Sequence, residues 1–173
     1  MLTLADVLEA LTNNRPAADT AVITEAAVDS RQVIPGGLFV ALHGERVDGH
    51  EYVADAFERG ASFALVEKDL GESYRTLNLL KGEKALEGTP DLAPPLCLMV
   101  ENSLSALQQT ARSWRRKFTV RVIGITGSVG KSTTKEAIAE VLTTRYHTLK
   151  NPGNLNNEIG LPLTMLKLGP GYE

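Results

Sequence analysis

The feature that most constrains this chain is a run of β-branched residues followed by a glycine-rich turn and an amphipathic segment, residues 120–142. The run at 120–125 is typical of a buried strand. After the turn, apolar residues recur at a spacing that predicts a helix with one apolar face: Ala137, Ile138, Val141 and Leu142. A strand, a turn and a helix N-terminus together suit a phosphate, because free backbone N–H groups and the positive end of the helix dipole point at the anion.

The turn itself has the sequence Thr-Gly-Ser-Val-Gly-Lys-Ser-Thr, residues 126–133. It departs from the strict Gly-x-x-x-x-Gly-Lys-[Ser/Thr] pattern, since Ile125 stands where the first glycine belongs. A turn that only joins a strand to a helix is the alternative, but Gly-Lys-Ser at this place favours a mononucleotide phosphate site. Lys131 would add a mobile positive charge, and the Ser132 hydroxyl could bind Mg²⁺.

Length, composition and charge narrow the classes of protein. The 173 residues suffice for one ordinary domain or two small ones, and 43% hydrophobic residues can form a core. A net charge of −3 argues against nucleic-acid binding. The single cysteine, Cys97, excludes a disulfide scaffold. We see neither a stretch long enough to span a membrane nor a signal peptide, so we expect a cytoplasmic protein that does not enter a membrane.

The chain alternates predicted helices and strands, which indicates an α/β layered fold. Helical periodicity predicts helices at 3–11, 51–59, 103–117 and 161–168, the first with a Thr3–Asp6 capping pattern. Short apolar runs predict strands at 26–28, 38–42, 62–66, 96–100 and 146–150. Residues 67–95 are rich in glycine, proline and charge, which predicts a surface excursion; within it, residues 74–80 are either a helical turn or an extended edge.

Polar loops follow three of the predicted strands. Residues 29–31 and 43–50 have the composition of solvated turns, and two histidines in the second could form a metal pair that no further ligand spacing supports. Residues 151–157 contain four asparagines. Asparagine favours turns, but this loop follows a predicted parallel strand beside the phosphate turn. Because ligands bind at the carboxyl ends of such strands, we favour contact with substrate or phosphate.

Taken together, these motifs resemble the Mur ligases of peptidoglycan synthesis. The resemblance rests on Thr-Gly-Ser-Val-Gly-Lys-Ser-Thr-Thr-Lys-Glu and on Gly-Asn-Leu-Asn-Asn-Glu-Ile-Gly-Leu-Pro, residues 126–136 and 153–162. Residues 29–50 resemble the family's uridine-nucleotide-binding domain, and residues 100–107 its connection into the ATPase domain. The resemblance implies a small N-terminal α/β substrate domain, residues 1–100, followed by the beginning of a P-loop-type parallel-sheet ATPase domain, residues 101–173.

The resemblance also implies a reaction, most similar to that of the family members that add a dipeptide. MgATP would phosphorylate the terminal carboxylate of UDP-MurNAc-tripeptide, and the amine of D-Ala-D-Ala would attack the acyl phosphate. Lys131 would be the catalytic residue and Ser132 the Mg²⁺ ligand. ATP would be bound by Gly127, Ser128, Val129, Gly130, Lys131, Ser132 and Thr133. Substrate would be bound by Ser30, Arg31, His43, Gly44, Asp48, His50, Asn154, Asn156 and Asn157.

The chain departs from the family pattern in two places. Residues 71–95 are longer than expected there, and family members continue well beyond the point that corresponds to residue 173. We therefore expect that this chain cannot complete the ligation alone, and that unpaired sheet edges cause association or poor order toward its C-terminus. The alternatives are a non-catalytic module that binds UDP-sugar peptides, a sister ligase that adds the third amino acid, and an unrelated P-loop ATPase or kinase. The last leaves residues 29–50 unexplained.

Overall fold

A computed structural model describes residues 1–16, 21–44, 47–88, 90–153 and 155–173. One parallel five-stranded sheet has the strand order β1-β2-β3-β5-β4. The strands are β1 (Ala26–Ala27), β2 (Leu38–Val40), β3 (Phe63–Val66), β4 (Thr76–Asn78) and β5 (Leu96–Met99). The helices are α1 (Leu4–Thr12), α2 (Val53–Glu58), α3 (Ser103–Arg116), α4 (Lys131–Thr143) and α5 (Gly160–Leu166). None of these helices is both long and apolar enough to cross a bilayer. The predicted α/β class is confirmed.

Both faces of the sheet are buried, as expected for parallel strands joined by helices. Because successive side chains of a strand point to opposite faces, the central strands contribute to two separate cores. One core packs against α1, α3 and α5 and includes Leu38, Val40, Phe63, Leu65, Leu96 and Leu98. The other packs against α2 and includes Phe39, Ala64, Val66, Cys97, Val53 and Ala56. This sheet therefore organises the first hundred residues.

Within the predicted excursion at 67–95, three residues extend the sheet. The extended alternative for residues 74–80 holds at Thr76–Asn78, which form the edge strand β4, whereas residues 79 and 80 begin a 3-10 helix, Leu79–Leu86. β4 pairs with β5 in the register Thr76↔Cys97, and the Cys97 N–H donates to the Arg75 carbonyl at 2.9 Å. Its three residues are only half-buried, so the strand lacks the apolar pattern by which the other strands were predicted.

The predicted strands at 120–125 and 146–150 are absent. In the described chain, the backbone groups of residues 121–126 make no backbone hydrogen bond, and Val122 is 64% exposed. The predicted apolar face of α4 is also wrong, because Val141 is 70% exposed and Ala139 is the buried residue of that helix. These errors have one physical cause. A strand and the helix that covers it require neighbouring strands, and no described segment pairs with 120–126.

On one face of the sheet, hydrogen bonds from α3 join it to α1 and to the end of α5. The Gln109 Nε2 of α3 donates to the Ala10 carbonyl of α1 at 2.7 Å. The Trp114 Nε1, also of α3, donates to the Leu168 carbonyl just after α5 at 2.9 Å, and Leu166 and Leu168 are buried in the same core. The predicted division of the chain into two domains at residue 100 stays a prediction. Helices α3 and α5, which follow that point, both pack against the parallel sheet.

A buried carboxylate, Asp6, joins the start of α1 to the end of α3. Its Oδ2 accepts hydrogen bonds from the Thr3 N–H and hydroxyl at 2.8 and 2.7 Å, which completes the predicted cap. Its Oδ1 accepts from the Lys117 Nζ and the Arg15 Nη1, each at 2.8 Å. Burial opposes the ionised form, but the bonds from Lys117, Arg15 and Thr3 outweigh it and hold the pKa of Asp6 well below its usual range.

We expect Asp6→Asn to lower the free energy of unfolding at pH 7 by about 2–3 kcal/mol, because it removes the buried negative charge that Lys117 and Arg15 contact and leaves them only the more exposed Glu9. Since the folded-state pKa of Asp6 is lowered, its contribution is complete above the ordinary carboxyl pKa of about 4 and is lost as the pH falls further. Urea denaturation from pH 7 to pH 2 measures both effects. Glu9→Gln is the control: Glu9 contacts the same two cations, but its side chain is 39% exposed, so its loss is smaller.

We also expect the chain to associate with itself through residues 121–126, because this exposed apolar segment makes no backbone hydrogen bond within the described residues and can pair with another chain. Sedimentation velocity over a range of concentrations measures this association. Ile123→Lys should shift the protein toward monomer. Val141→Lys makes the same change on α4, where the backbone groups bond within the helix, and should have the smaller effect. Monomeric parent protein at every concentration, or equal effects of the two substitutions, would contradict the prediction.

Candidate functional site

The phosphate turn is an open helix N-terminus. Gly130 is the N-cap of the 13-residue helix α4, has φ +82°, and offers no capping side chain. The Thr134 N–H donates to the Gly130 carbonyl at 2.9 Å, whereas the N–H groups of residues 131–133 have no backbone partner in the described chain. Gly127, with φ +145°, opens the turn. Glycine is required at both positions by backbone conformation, since side chains strain at positive φ.

Two side chains of this turn have the chemistry to bind a phosphate and a divalent cation. The Lys131 Nζ donates to the Gly127 carbonyl, so the lysine lies across the turn. Ser132 is exposed at the first turn of α4 and makes no side-chain hydrogen bond within the described residues. Among the described residues, no group of three or more His, Cys, Asp or Glu side chains is placed to hold a metal ion. The free N–H groups, the lysine and the hydroxyl therefore fit a nucleotide that brings its own phosphate ligands to Mg²⁺.

The asparagine-rich loop lies against α4, as expected for a loop that contacts the same ligand. The Lys135 Nζ donates to the Asn151 and Gly153 carbonyls at 2.9 and 2.6 Å. Asn157 accepts from the Gly160 N–H at 2.7 Å and so fixes the start of α5. Asn156 is exposed, and Asn154 lies outside the described residues. An apolar groove of about 550 Å³ runs between this loop, α4, α5 and residues 120–125.

The loop after β1 presents an arginine to solvent. Asp29 accepts from the Arg31 N–H at 3.0 Å and from the Arg31 Nε and Nη2 at 2.9 and 2.8 Å. The guanidinium of Arg31 holds the pKa of Asp29 at about 2. Ser30 is buried, and its hydroxyl bonds to the Asp55 carboxylate. Arg31 is therefore the exposed cation of this loop, oriented by a two-point contact with its neighbour.

The loop after β2 is fixed by a buried histidine. His50 has a side chain only 4% exposed, and its Nδ1 lies 2.5 Å from the Asp48 Oδ1. Its Nε2 lies 2.8 Å from the Glu67 N, whose N–H donates to it. An Nε2 that accepts a hydrogen bond carries no proton, so the imidazole is neutral with its proton on Nδ1. His50 thus ties this loop to the end of β3.

The other predicted residues of this loop lie around the His50–Glu67 contact. Asp48 also accepts from the Lys68 Nζ at 2.8 Å, and hydrogen bonds from Lys68 and His50 hold the pKa of Asp48 well below its usual range. His43 is exposed, with its Nδ1 3.9 Å from the Asp48 Oδ1. The Gly44 N–H closes a turn on the Val47 carbonyl at 3.0 Å. Within this loop, His43 is the predicted residue most free to contact a ligand.

The structure places the predicted residues in two groups. Residues 127–133 precede and begin α4, whose Lys135 contacts the asparagine-rich loop, and residues 29–31 and 43–50 follow strands β1 and β2 of the sheet. No hydrogen bond or ion pair between described residues joins the two groups. The sequence analysis missed Lys135, Glu67 and Lys68. Lys135 could have been noticed, since it lies one helical turn after Lys131; the other two acquire their contacts only through the fold.

Two family models match the chain in separate segments. The family described as "Mur ligase family, catalytic domain" matches residues 22–88. The family described as "Mur ligase middle domain" matches residues 125–173. The first segment contains β1, β2, β3 and the two loops with the exposed Arg31 and His43. The second contains the phosphate turn after residue 125 and the asparagine-rich loop.

Curated relatives named UDP-N-acetylmuramoyl-tripeptide–D-alanyl-D-alanine ligase match most of the chain. The Bacillus subtilis protein is 37% identical over 91% of this chain and 31% of its own length. The Escherichia coli protein is 34% identical over 99% of this chain and 33% of its own length. This chain therefore spans about a third of the length of these relatives.

Solved structures agree with these matches. The ligase from Acinetobacter baumannii, titled UDP-N-acetylmuramoylalanyl-D-glutamyl-2,6-diaminopimelate–D-alanyl-D-alanyl ligase, superposes with a TM-score of 0.72 at 30% identity and covers 97% of this chain and 34% of its own. The MurF ligase from Thermotoga maritima in complex with ADP gives a TM-score of 0.65 at 32% identity, over 86% of this chain and 30% of its own. With both of its halves matched in sequence and in structure, the chain belongs to the Mur ligase family.

Proposed function

We propose that this chain carries the uridine-nucleotide site and the phosphate turn of a ligase that joins D-Ala-D-Ala to UDP-MurNAc-tripeptide at the expense of ATP. The observation that carries the proposal is the match to ligases of that name along nearly the whole chain, up to 99% of it. The open N-terminus of α4 supports the ATP part, because an uncapped row of N–H groups beside a lysine suits a polyphosphate. ATP and UDP-linked precursors are cytoplasmic metabolites, so we propose a cytoplasmic protein.

The residues of the turn would act by position and charge. The N–H groups of residues 127–133 and the Lys131 ammonium would hold the β- and γ-phosphates and offset the negative charge that develops during transfer. The Ser132 hydroxyl would be one Mg²⁺ ligand. ATP would supply the phosphoryl group that activates the substrate carboxylate, and the dipeptide amine would then displace phosphate to form the amide. Asn156 and Asn157 would lie beside the transferred group, and Asn154 stays a predicted contact outside the described residues.

The residues predicted to bind substrate fall into two groups, those exposed to solvent and those bonded within the protein. Arg31 and His43 are exposed and would contact the uridine nucleotide. Ser30, Asp48 and His50 bond to other parts of the protein and would hold the two loops in shape. Gly44 would let the ligand approach the turn of its loop.

A second function, binding without ligation, is favoured for this chain alone. The observation behind it is segment 120–126, which pairs with no other described segment. Such a module would bind UDP-sugar peptides through residues 29–50 without catalysing ligation. Release of phosphate that depends on both ATP and UDP-MurNAc-tripeptide separates the two functions.

The uridine site is tested by calorimetric titration with UDP-MurNAc-tripeptide and with UMP. We expect both to bind, and Arg31→Ala to weaken each roughly tenfold to a hundredfold, because a charge-assisted hydrogen bond to phosphate is lost. Arg112→Ala, which removes an exposed arginine of α3, should leave both affinities unchanged. Folded protein that binds neither ligand, or that binds them as well after Arg31→Ala, would refute the assignment of this site.

The phosphate turn is tested by titration with MgATP. We expect Lys131→Ala to reduce the affinity for MgATP at least about tenfold and to leave the affinity for UMP intact, because the ammonium is the mobile charge of the turn. Lys167→Ala is the control: Lys167 pairs with Glu25 at 2.5 Å, away from the turn. Equal affinity of the parent and Lys131→Ala for MgATP would remove the turn from the proposed function.

A further inference from the structure

Lys135 is a largely buried cation that the proposed reaction does not use. It lies on α4 one helical turn after Lys131, and its side chain is only 14% exposed. An ammonium group has three N–H donors. In this structure the Nζ donates to the Asn151 and Gly153 carbonyls, at 2.9 and 2.6 Å, and forms an ion pair with the Glu136 Oε1 at 3.3 Å. These three contacts occupy the ammonium group within the protein.

The two carbonyls depend on this lysine. Neither the Asn151 nor the Gly153 carbonyl accepts a backbone hydrogen bond in the described chain. Pro152 between them has no N–H, and its carbonyl accepts from the Leu155 N–H at 3.1 Å, a bond within the loop that does not reach α4. Lys135 is therefore the described residue of α4 that bonds directly to the backbone of residues 151–153.

Further hydrogen bonds hold the remaining described part of the asparagine-rich loop. The Asn151 Nδ2 donates to the Leu155 carbonyl at 3.2 Å, and the Gly160 N–H donates to the Asn157 Oδ1 at 2.7 Å. Lys135 and Asn156 line the same groove. Asn151 and Asn157 thus each hold a further part of the loop whose entrance Lys135 fixes to α4.

We propose that Lys135 is a positioning residue that clamps residues 151–153 onto α4 and thereby holds Asn156 and Asn157 beside the phosphate turn. The clamp itself stands on the contacts above, and its effect on nucleotide binding rests on the proposed function. Lys135 acts through the loop and does not touch the nucleotide.

The clamp is tested without any ligand, by hydrogen exchange of the folded chain. Lys135→Met keeps the apolar stem and removes the donors, so exchange across residues 151–157 should rise at least about tenfold while exchange in β2 and β3 stays the same. Lys135→Arg should restore most of the protection, because it keeps the charge and the donors. Lys150→Met is the matched control: Lys150 pairs with Glu136 at the same junction but reaches neither carbonyl. Unchanged exchange in Lys135→Met would overturn the proposal.

Its consequence is tested by titration with MgATP and UMP. We expect Lys135→Met to weaken MgATP binding roughly threefold to tenfold, Lys135→Arg to recover it, and UMP binding to be the same in all variants. If the parent binds no MgATP, the ATP part of the proposed function fails, while hydrogen exchange still decides the clamp. If the loop loosens and MgATP affinity does not change, the positioning role is refuted. Should Lys135→Met not fold, Lys135→Gln, which keeps an amide donor, takes its place in both measurements.

Discussion

Pairing between parallel strands is the constraint on which the rest of this structure depends. In the first hundred residues every strand has a neighbour, and the two cores form on the faces that this pairing creates. In residues 120–126 the composition is equally suited to a strand, but the described chain supplies no neighbour, so the segment is unpaired and exposed. Strand-forming sequence is therefore necessary for a sheet but not sufficient.

Helix α3 connects the parallel sheet of the first hundred residues to α5 in the second half of the chain. Its N-terminus is held at the end of β3, where the Ser103 N–H donates to the Glu67 Oε1 at 2.7 Å, and Glu67 is the same residue whose N–H bonds to His50. Its C-terminal half holds α5 through Trp114. Glu67 therefore contacts both His50, which shapes one candidate ligand loop, and α3, which leads toward the phosphate turn. Lys117, which pairs with the buried Asp6, fixes the same helix to α1.

How far the sequence could predict this structure depended on where each element finds its partners. α1, α3 and four strands follow from local periodicity and caps, such as the Thr3–Asp6 box, because their apolar faces meet a core within the same hundred residues. β4 could not be found in this way, since it is a half-buried edge without alternation. The phosphate turn was predictable because its glycines and its lysine are contiguous. The His50–Glu67 and Lys135–Asn151 contacts join residues 16 or 17 positions apart, and no local pattern encodes them.

In the candidate site, too, some features form through contacts between residues close in the sequence, and others require strands from elsewhere. The backbone of the phosphate turn, the start of α4 and the lysine clamp on residues 151–153 all form here beside an unpaired segment, because each needs only contacts within about twenty residues of chain. Burial of α4 and the groove beside it requires strands on either side, and there the described chain leaves Val122 and Val141 in solvent. Local contacts can thus shape the turn that we propose binds phosphate. Exclusion of water from that site, which strengthens every charge in it, demands the surrounding sheet.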